Sequence, residues 1–307
     1  MPESNSSPVL SRDSLVFPCG LSRSGTTLLT TILDSHHDIS LGYELIPPWM
    51  PVPIELLALL DEGIRLGGSP ESAGKALRSA GHPEMGKFIT RCFRAGLTEA
   101  DLRAVMDALA QEGCREIKTV EERLRIAHRV AAKKRESRAT RYYGFKLNIG
   151  AFELAFGLFP NSRLVHIVRD PRDVVASQIE RKFDRSVEDI CRAWNRYTTN
   201  FDRFASVHPD AGHVIRYEDL VGRPETTIRS MFDFLPMEID ENVFRFYESG
   251  ASVHHTGHPN AENLKRNFFT TSVGRAGTEL ETKVIAQVEH LCADGMQRLG
   301  YERAQEQ

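Results

Sequence analysis

The chemistry-bearing residues of this chain gather at two places where an apolar run hands over to a helical one. The first is Gly20-Leu21-Ser22-Arg23-Ser24-Gly25-Thr26-Thr27. Small residues in such a turn let backbone N–H groups converge, and the following helix adds positive partial charge at its N-terminus, so the loop is suited to an anion. Gly20 and Gly25 have the G-x-x-x-x-G spacing of a triphosphate loop, but Thr26 stands where that loop carries lysine. A cation appears instead inside the loop, at Arg23. The second place is Arg169-Asp170-Pro171, with Ser177 and Arg181 downstream. Asp170 and Pro171 are a helix cap and a first-turn proline. Ser177 and Arg181, four apart, then share a helix face. With Arg169, whose guanidinium can grip two oxygens at once, they can surround a phosphate. Two anion sites point to a ligand with two separated anionic groups.

The elements that must position these groups alternate between strand and helix. Leu15–Phe17 reads as a buried strand, and Leu28, Leu29, Ile32 and Leu33 form the core stripe of a helix. A loop through Gly42-Tyr43-Glu44 leads into a proline-rich stretch at Pro47, Pro48, Pro51 and Pro53. Helical patterns follow at 54–64 and from about 85 to 135, with a turn at Gly67-Gly68-Ser69-Pro70. Tyr142–Leu147 and the nearly all-apolar Arg163–Val168 read as strands. Helices are expected at 171–182, 186–206, from Pro224, and at 279–298, with a strand at Val214–Tyr217 and a long loop or lid at 250–277. This alternation predicts an α/β fold: a P-loop-like, doubly wound parallel sheet with flanking helices and an inserted helical region on the acceptor side, at about 50–140.

At 307 residues, with 41% hydrophobic content, the chain can form one sizeable domain, expected at 14–303 behind a flexible tail at 1–13. The net charge of −3 gives no global pull toward nucleic acid or anionic membrane. Five scattered cysteines without a C-x-x-C pair, no signal-like run and no long apolar span predict a reduced, cytoplasmic protein. Between Arg115 and Lys146, eleven Lys/Arg face four Asp/Glu, either as a solvated helix face or as a rim that attracts an anion. No histidine has metal-ligand spacing, so no metal is expected.

Taken together, the motifs resemble those of the sulfotransferases that use 3′-phosphoadenylyl sulfate (PAPS). Ser22-Arg23-Ser24-Gly25-Thr26-Thr27 looks like their 5′-phosphosulfate loop, and Arg163–Ser177 like their 3′-phosphate motif, including the eight-residue step from Arg169 to Ser177. Val214–Val221 resembles the later strand motif, whose tyrosine, here Tyr217, lies near the nucleotide. Thr271-Ser272-Val273-Gly274-Arg275 resembles the loop that closes over it. Arginine in the first loop is similar to the branch of tyrosylprotein and many bacterial sulfotransferases. The resemblance implies PAPS as donor, adenosine 3′,5′-bisphosphate as product, and Arg23, Ser24, Gly25, Thr26, Thr27, Arg169, Ser177, Arg181, Tyr217, Ser272, Gly274 and Arg275 as the nucleotide site.

In the tyrosylprotein branch a catalytic glutamate follows the loop arginine by twenty-one residues, which is Glu44 here. Its acidic neighbour is replaced by Tyr43, so a peptide tyrosine acceptor is not implied. Lys146 falls where that branch carries a lysine beside the transferring group. Sulfuryl transfer depends on positioning and charge, as phosphoryl transfer does. Glu44 as base, with Lys146 and Arg23 as stabilising cations, satisfies it without magnesium. His36 or His37 is the rival base. The acceptor is a hydroxyl, with an amine as second choice, of an identity the sequence does not specify; homo-oligomer formation stays open. The rival functions are a nucleotide-dependent small-molecule kinase and a non-catalytic nucleotide-binding protein.

Overall fold

A computed structural model describes residues 15–47, 53–113, 117–235, 237–249 and 261–303. The expected tail at 1–13, Trp49, and His254, His255 and His258 lie outside them. Five strands are found among these residues: β1 (Val16–Cys19), β2 (Ile39–Gly42), β3 (Tyr142–Phe145), β4 (Arg163–Val168) and β5 (Gly212–Arg216). All pair in parallel: β2 with β3, β1 with β4, and β4 with β5. Single parallel bridges, Leu15 to Tyr143 and Cys19 to Leu147, join β3 to β1, giving the spatial order 2-3-1-4-5. The expected strands are present. β2 is an addition, since the sequence at 39–42 reads as loop.

Alternation along the strands divides the core in two. Phe17, Cys19, Phe145 and Leu164 face one apolar cluster, whereas Val16, Ile39, Leu41, Val165 and Ile167 face another. Helix α1 (Thr26–Asp34) covers the second face through Leu29, Ile32 and Leu33. Five helices follow β2: α2 (Pro53–Gly67), α3 (Pro70–Ser79), α4 (Pro83–Arg94), α5 (Glu99–Gln111) and α6 (Val120–Arg138). They form the expected insertion between β2 and β3, and α6 packs on both strands. α3 is a further addition; Ser69 caps it by accepting the Ser72 N–H, and Pro70 occupies its first turn.

The basic stretch at 115–146 has a role its composition does not suggest. Lys134 is buried, donates to Asp34 at 3.0 Å, and also donates to the Leu41 carbonyl. Arg138 reaches Asp34 at 2.6 Å. The stretch braces α6 against α1 and β2. Among its described residues, Lys146 is the one that lines a cavity beyond the C-terminal strand ends.

After β3 come α7 (Phe152–Leu158), then β4, α8 (Pro171–Glu180) and α9 (Val187–Val207). Phe152, Phe201 and Phe204 pack onto the first sheet face. Tyr217 opens α10 (Tyr217–Gly222) instead of ending β5, and α11 (Pro224–Phe234) buries Ile228, Met231 and Phe232 on the second face. The short α12 (Ala261–Leu264) precedes α13 (Ala276–Glu279), α14 (Thr282–Leu291) and α15 (Ala293–Arg298). The single helix expected at 279–298 is thus divided: Leu280 and Glu281 take extended backbone angles ahead of α14, and Cys292 separates α14 from α15. No described helix is long and apolar enough to cross a membrane.

Candidate functional site

Each strand delivers a residue to one cavity just beyond its C-terminal end, the edge at which open α/β sheets hold ligands. β1 leads to the loop 20–25, β2 to Glu44, β3 to Lys146, β4 to Arg169 and β5 to Tyr217. The cavity measures about 670 Å³, within the range of small-ligand sites. Arg23, Gly25, Thr26, Thr27, Ser177, Arg181, Ser272 and Arg275 also line it. Of the residues expected in the site, Ser24 and Gly274 do not line it. Ser24 is buried, with its N–H on the Leu21 carbonyl at 3.1 Å.

The first loop requires its glycine at the helix start. Gly25 has φ +93°, and a side-chain carbon there would lie 2.5 Å from the Tyr217 ring. Thr26 and Thr27 begin α1, so their N–H groups belong to the first turn, which has no partner within the helix. Arg23 (φ 78°) and Glu44 (φ 50°) both hold left-handed backbone, a strain that non-glycine residues keep only where the surroundings impose it.

Arg169 is the hub of the second anion motif. Its guanidinium donates to the Arg23 carbonyl at 3.2 Å and to the Ser272 carbonyl, and stands 4.6 Å from the centre of the Tyr217 ring. The Trp194 indole N–H donates to the Arg169 carbonyl at 2.9 Å. Buried Asp173 accepts the Gly274 N–H at 2.8 Å and the Ala276 N–H at 2.9 Å, tying the C-terminal loop to α8, and lies 3.5 Å from Arg169. Arg275 is held by Glu279 at 2.7 Å and Glu180 at 3.0 Å.

Arg23 and Lys146, expected to act on one group, have different partners. Arg23 Nε donates to Ser177 Oγ at 2.9 Å, toward the second anion motif. Lys146 is buried, 3.0 Å from Glu44 and 3.4 Å from Thr27 Oγ1. Burial lowers the pKa of Arg23, and repulsion from Arg181 and Arg169 lowers it further. Arg169 Nε is buried with no hydrogen-bond partner among the described residues. A crowded cationic cluster with an unsatisfied buried donor fits a phosphate placed among these side chains.

Glu44 bridges Lys146, at 3.0 Å, and Arg91 of α4, at 2.7 Å. Neither His36 nor His37 lines the cavity. His36 accepts the Asp38 N–H on Nδ1, so its Nε2 carries the proton and donates to the Glu238 carbonyl at 3.0 Å. His37 bonds Asp240 at 2.8 Å. These three form the one His/Asp group among the described residues with metal-like proximity, away from the cavity.

Sequence reasoning missed Asp173, Trp194, and the lining residues Arg78, Lys87, Thr90, Arg91 and Arg94 of α3 and α4. The last four had a legible signal: they recur at helical spacing opposite buried Met85, Phe88, Ile89 and Cys92. Asp173 and Trp194 had none, because the backbone groups they bond lie 25 to 103 positions away.

A family model described as the sulfotransferase family matches residues 16–241. Protein-tyrosine sulfotransferase of Drosophila melanogaster is 27% identical over 243 residues, covering 76% of this chain and 40% of that protein. Carbohydrate sulfotransferase 5 of Mus musculus is 27% identical over 176 residues, 46% of this chain and 42% of that protein. The chain thus spans less than half the length of these two relatives. Among solved structures, the sulfotransferase domain of the Synechococcus PCC 7002 olefin synthase has a TM-score of 0.56 at 19% identity, covering 93% of this chain and 97% of that one. At that identity the likeness concerns the fold.

Proposed function

Because the chain belongs to the sulfotransferase family, we propose that it moves a sulfuryl group from PAPS to an acceptor hydroxyl, with an amine as the second choice. The observation that carries this reading is the meeting of two anion stations, the Gly20–Thr27 loop with Lys146 and the Arg169–Ser177–Arg181 group, in one cavity that also holds Glu44. When bound, PAPS supplies the sulfuryl group and leaves as adenosine 3′,5′-bisphosphate. The α1 N-terminus with Thr26 and Thr27 binds the 5′ end, and Arg169, Ser177 and Arg181 bind the 3′-phosphate. Arg23, directed at Ser177, serves that second station more than the first. Tyr217, Ser272 and Arg275 frame the nucleotide, with the Gly274 turn anchored by Asp173.

Glu44 takes the proton of the acceptor hydroxyl as the new S–O bond forms and the bond to the 5′-phosphate breaks. Lys146, beside Thr27, stabilises negative charge on the departing oxygen; such a preorganised donor contributes about 3 kcal/mol. Protein tyrosine, the acceptor named for the fruit-fly relative, is not carried over: Tyr43 replaces the acidic neighbour of Glu44, and its hydroxyl is engaged with Thr31 at 2.9 Å.

The test is a panel of hydroxyl acceptors incubated with PAPS in EDTA and read by mass spectrometry for the gain of one SO3 unit. Transfer without magnesium supports the proposal. Magnesium-dependent turnover of ATP would replace it with a kinase. Tight bisphosphate binding without transfer to any acceptor would leave a nucleotide-binding protein.

A further inference from the structure

The cavity holds more positive charge than the donor uses. Among the described residues, ten cationic side chains line it against two carboxylates, Glu44 and Glu180. A phosphomonoester carries about two negative charges near neutral pH, so PAPS with its phosphosulfate brings about four. The surplus is concentrated away from the donor loops. α4 presents Thr90, Arg91, Arg94 and Lys87, the last paired with Glu84 at 2.6 Å, along one face while Met85, Phe88, Ile89 and Cys92 are buried on the other. Arg78 of α3 joins that face, donating to Thr90 Oγ1 at 2.9 Å. The groups are close enough to repel: the pKa of Arg94 is lowered by burial, then by Arg78 and Arg91. Glu44 stands at the junction, touching Arg91 on this side and Lys146 on the other.

We infer that the acceptor is a small hydroxyl compound bearing an oxyanion, a carboxylate or a phosphate, which docks on Arg78 and Arg94 while its hydroxyl faces Glu44. The inference rests on the sulfotransferase reading. Guanidinium forks match the paired oxygens of either oxyanion. Donor and acceptor share a cavity of about 670 Å³, which suits a small acceptor. A fixed anion at this end orients the far end of the molecule, so the charge acts on acceptor choice and not on the transferring group.

The test is calorimetric titration of the protein saturated with adenosine 3′,5′-bisphosphate, using two matched pairs: 4-hydroxyphenylacetate against its methyl ester, and glycerol 3-phosphate against glycerol. The charged member of at least one pair is expected to bind at least about tenfold tighter, and the responding pair identifies the oxyanion. The double variant Arg78→Gln/Arg94→Gln is expected to lose that preference while keeping its bisphosphate affinity, which also reports that it is folded. Equal binding within both pairs, no binding by any of the four, or a preference that survives in the folded double variant overturns the inference alone. Failure of the wild type to bind the bisphosphate overturns the donor reading and this inference with it.

Discussion

Glu44 Oε1 lies 3.0 Å from Lys146 Nζ, although 102 positions separate the two residues. The contact follows from the β2–β3 pairing. Gly42 is aligned with Phe145, and the Lys146 N–H donates to the Gly42 carbonyl at 2.9 Å. Both side chains therefore emerge just past neighbouring strand ends, and the left-handed backbone of Glu44 turns its carboxylate to the lysine.

Replacing Glu44 by Gln removes the proposed base while keeping size and one acceptor oxygen. Turnover is expected to fall about 10²- to 10⁴-fold, with bisphosphate affinity little changed. Steady-state kinetics with an acceptor from the sulfuryl screen decide it; near-full turnover would exclude Glu44 as the base.

Lys146→Met removes a buried ammonium from between Thr27 and Glu44. A loss of about 10²- to 10³-fold in kcat is expected, with a smaller effect on the KM for PAPS, because the charge acts where negative charge develops. An effect confined to the KM for PAPS would make Lys146 a binding residue only.

Asp173→Asn keeps one acceptor oxygen but turns the other position into an amide donor facing the Gly274 or Ala276 N–H. Leaving a buried donor unsatisfied costs about 1–3 kcal/mol, here directed at the loop that carries Ser272 and Arg275. Weaker bisphosphate binding and faster proteolytic cleavage near 270–276 are expected, with kcat at saturating PAPS much less affected. Unchanged cleavage would show that the loop is held by other contacts.

Burial keeps two histidines neutral: the pKa is pushed down to about 4 for His128 and about 3 for His166, against an ordinary 6.5. Below about pH 6.5 the unfolded chain binds protons that the folded chain does not, so stability rises with pH in this window. The contribution is complete above 6.5 and is lost as pH falls toward the folded values, by at most about 1.4 kcal/mol per pH unit for each site. Urea midpoints should drop between pH 7 and 5, and His166→Phe, which keeps the ring packed against Phe201, should flatten the slope. A slope unchanged by that substitution would place the proton uptake elsewhere.

Local chemistry made both anion motifs legible in the sequence. Gly25 before a helix, Pro171 after Asp170, and Ser177 and Arg181 one turn apart each state their geometry within a few residues. The apolar run Arg163–Val168 likewise announces a strand covered on both faces. β2 did not announce itself: four residues, Ile39–Gly42, become a strand by pairing with β3 across the whole helical insertion. The same distance hid the cavity wall formed by α3 and α4. The cationic face of α4 is periodic in sequence, but such a face is ordinarily solvated, and only its packing across from Glu44 turns it into a cavity wall. The sequence by itself determined the two anion motifs, because helix caps, turns and strand periodicity are set by neighbours along the chain. Tertiary structure alone decided that Glu44 meets Lys146 and Arg91, that Arg23 turns to Ser177, and that Asp173 anchors the C-terminal loop. Those contacts depend on parallel strand register and helix packing between segments far apart, which no local pattern encodes.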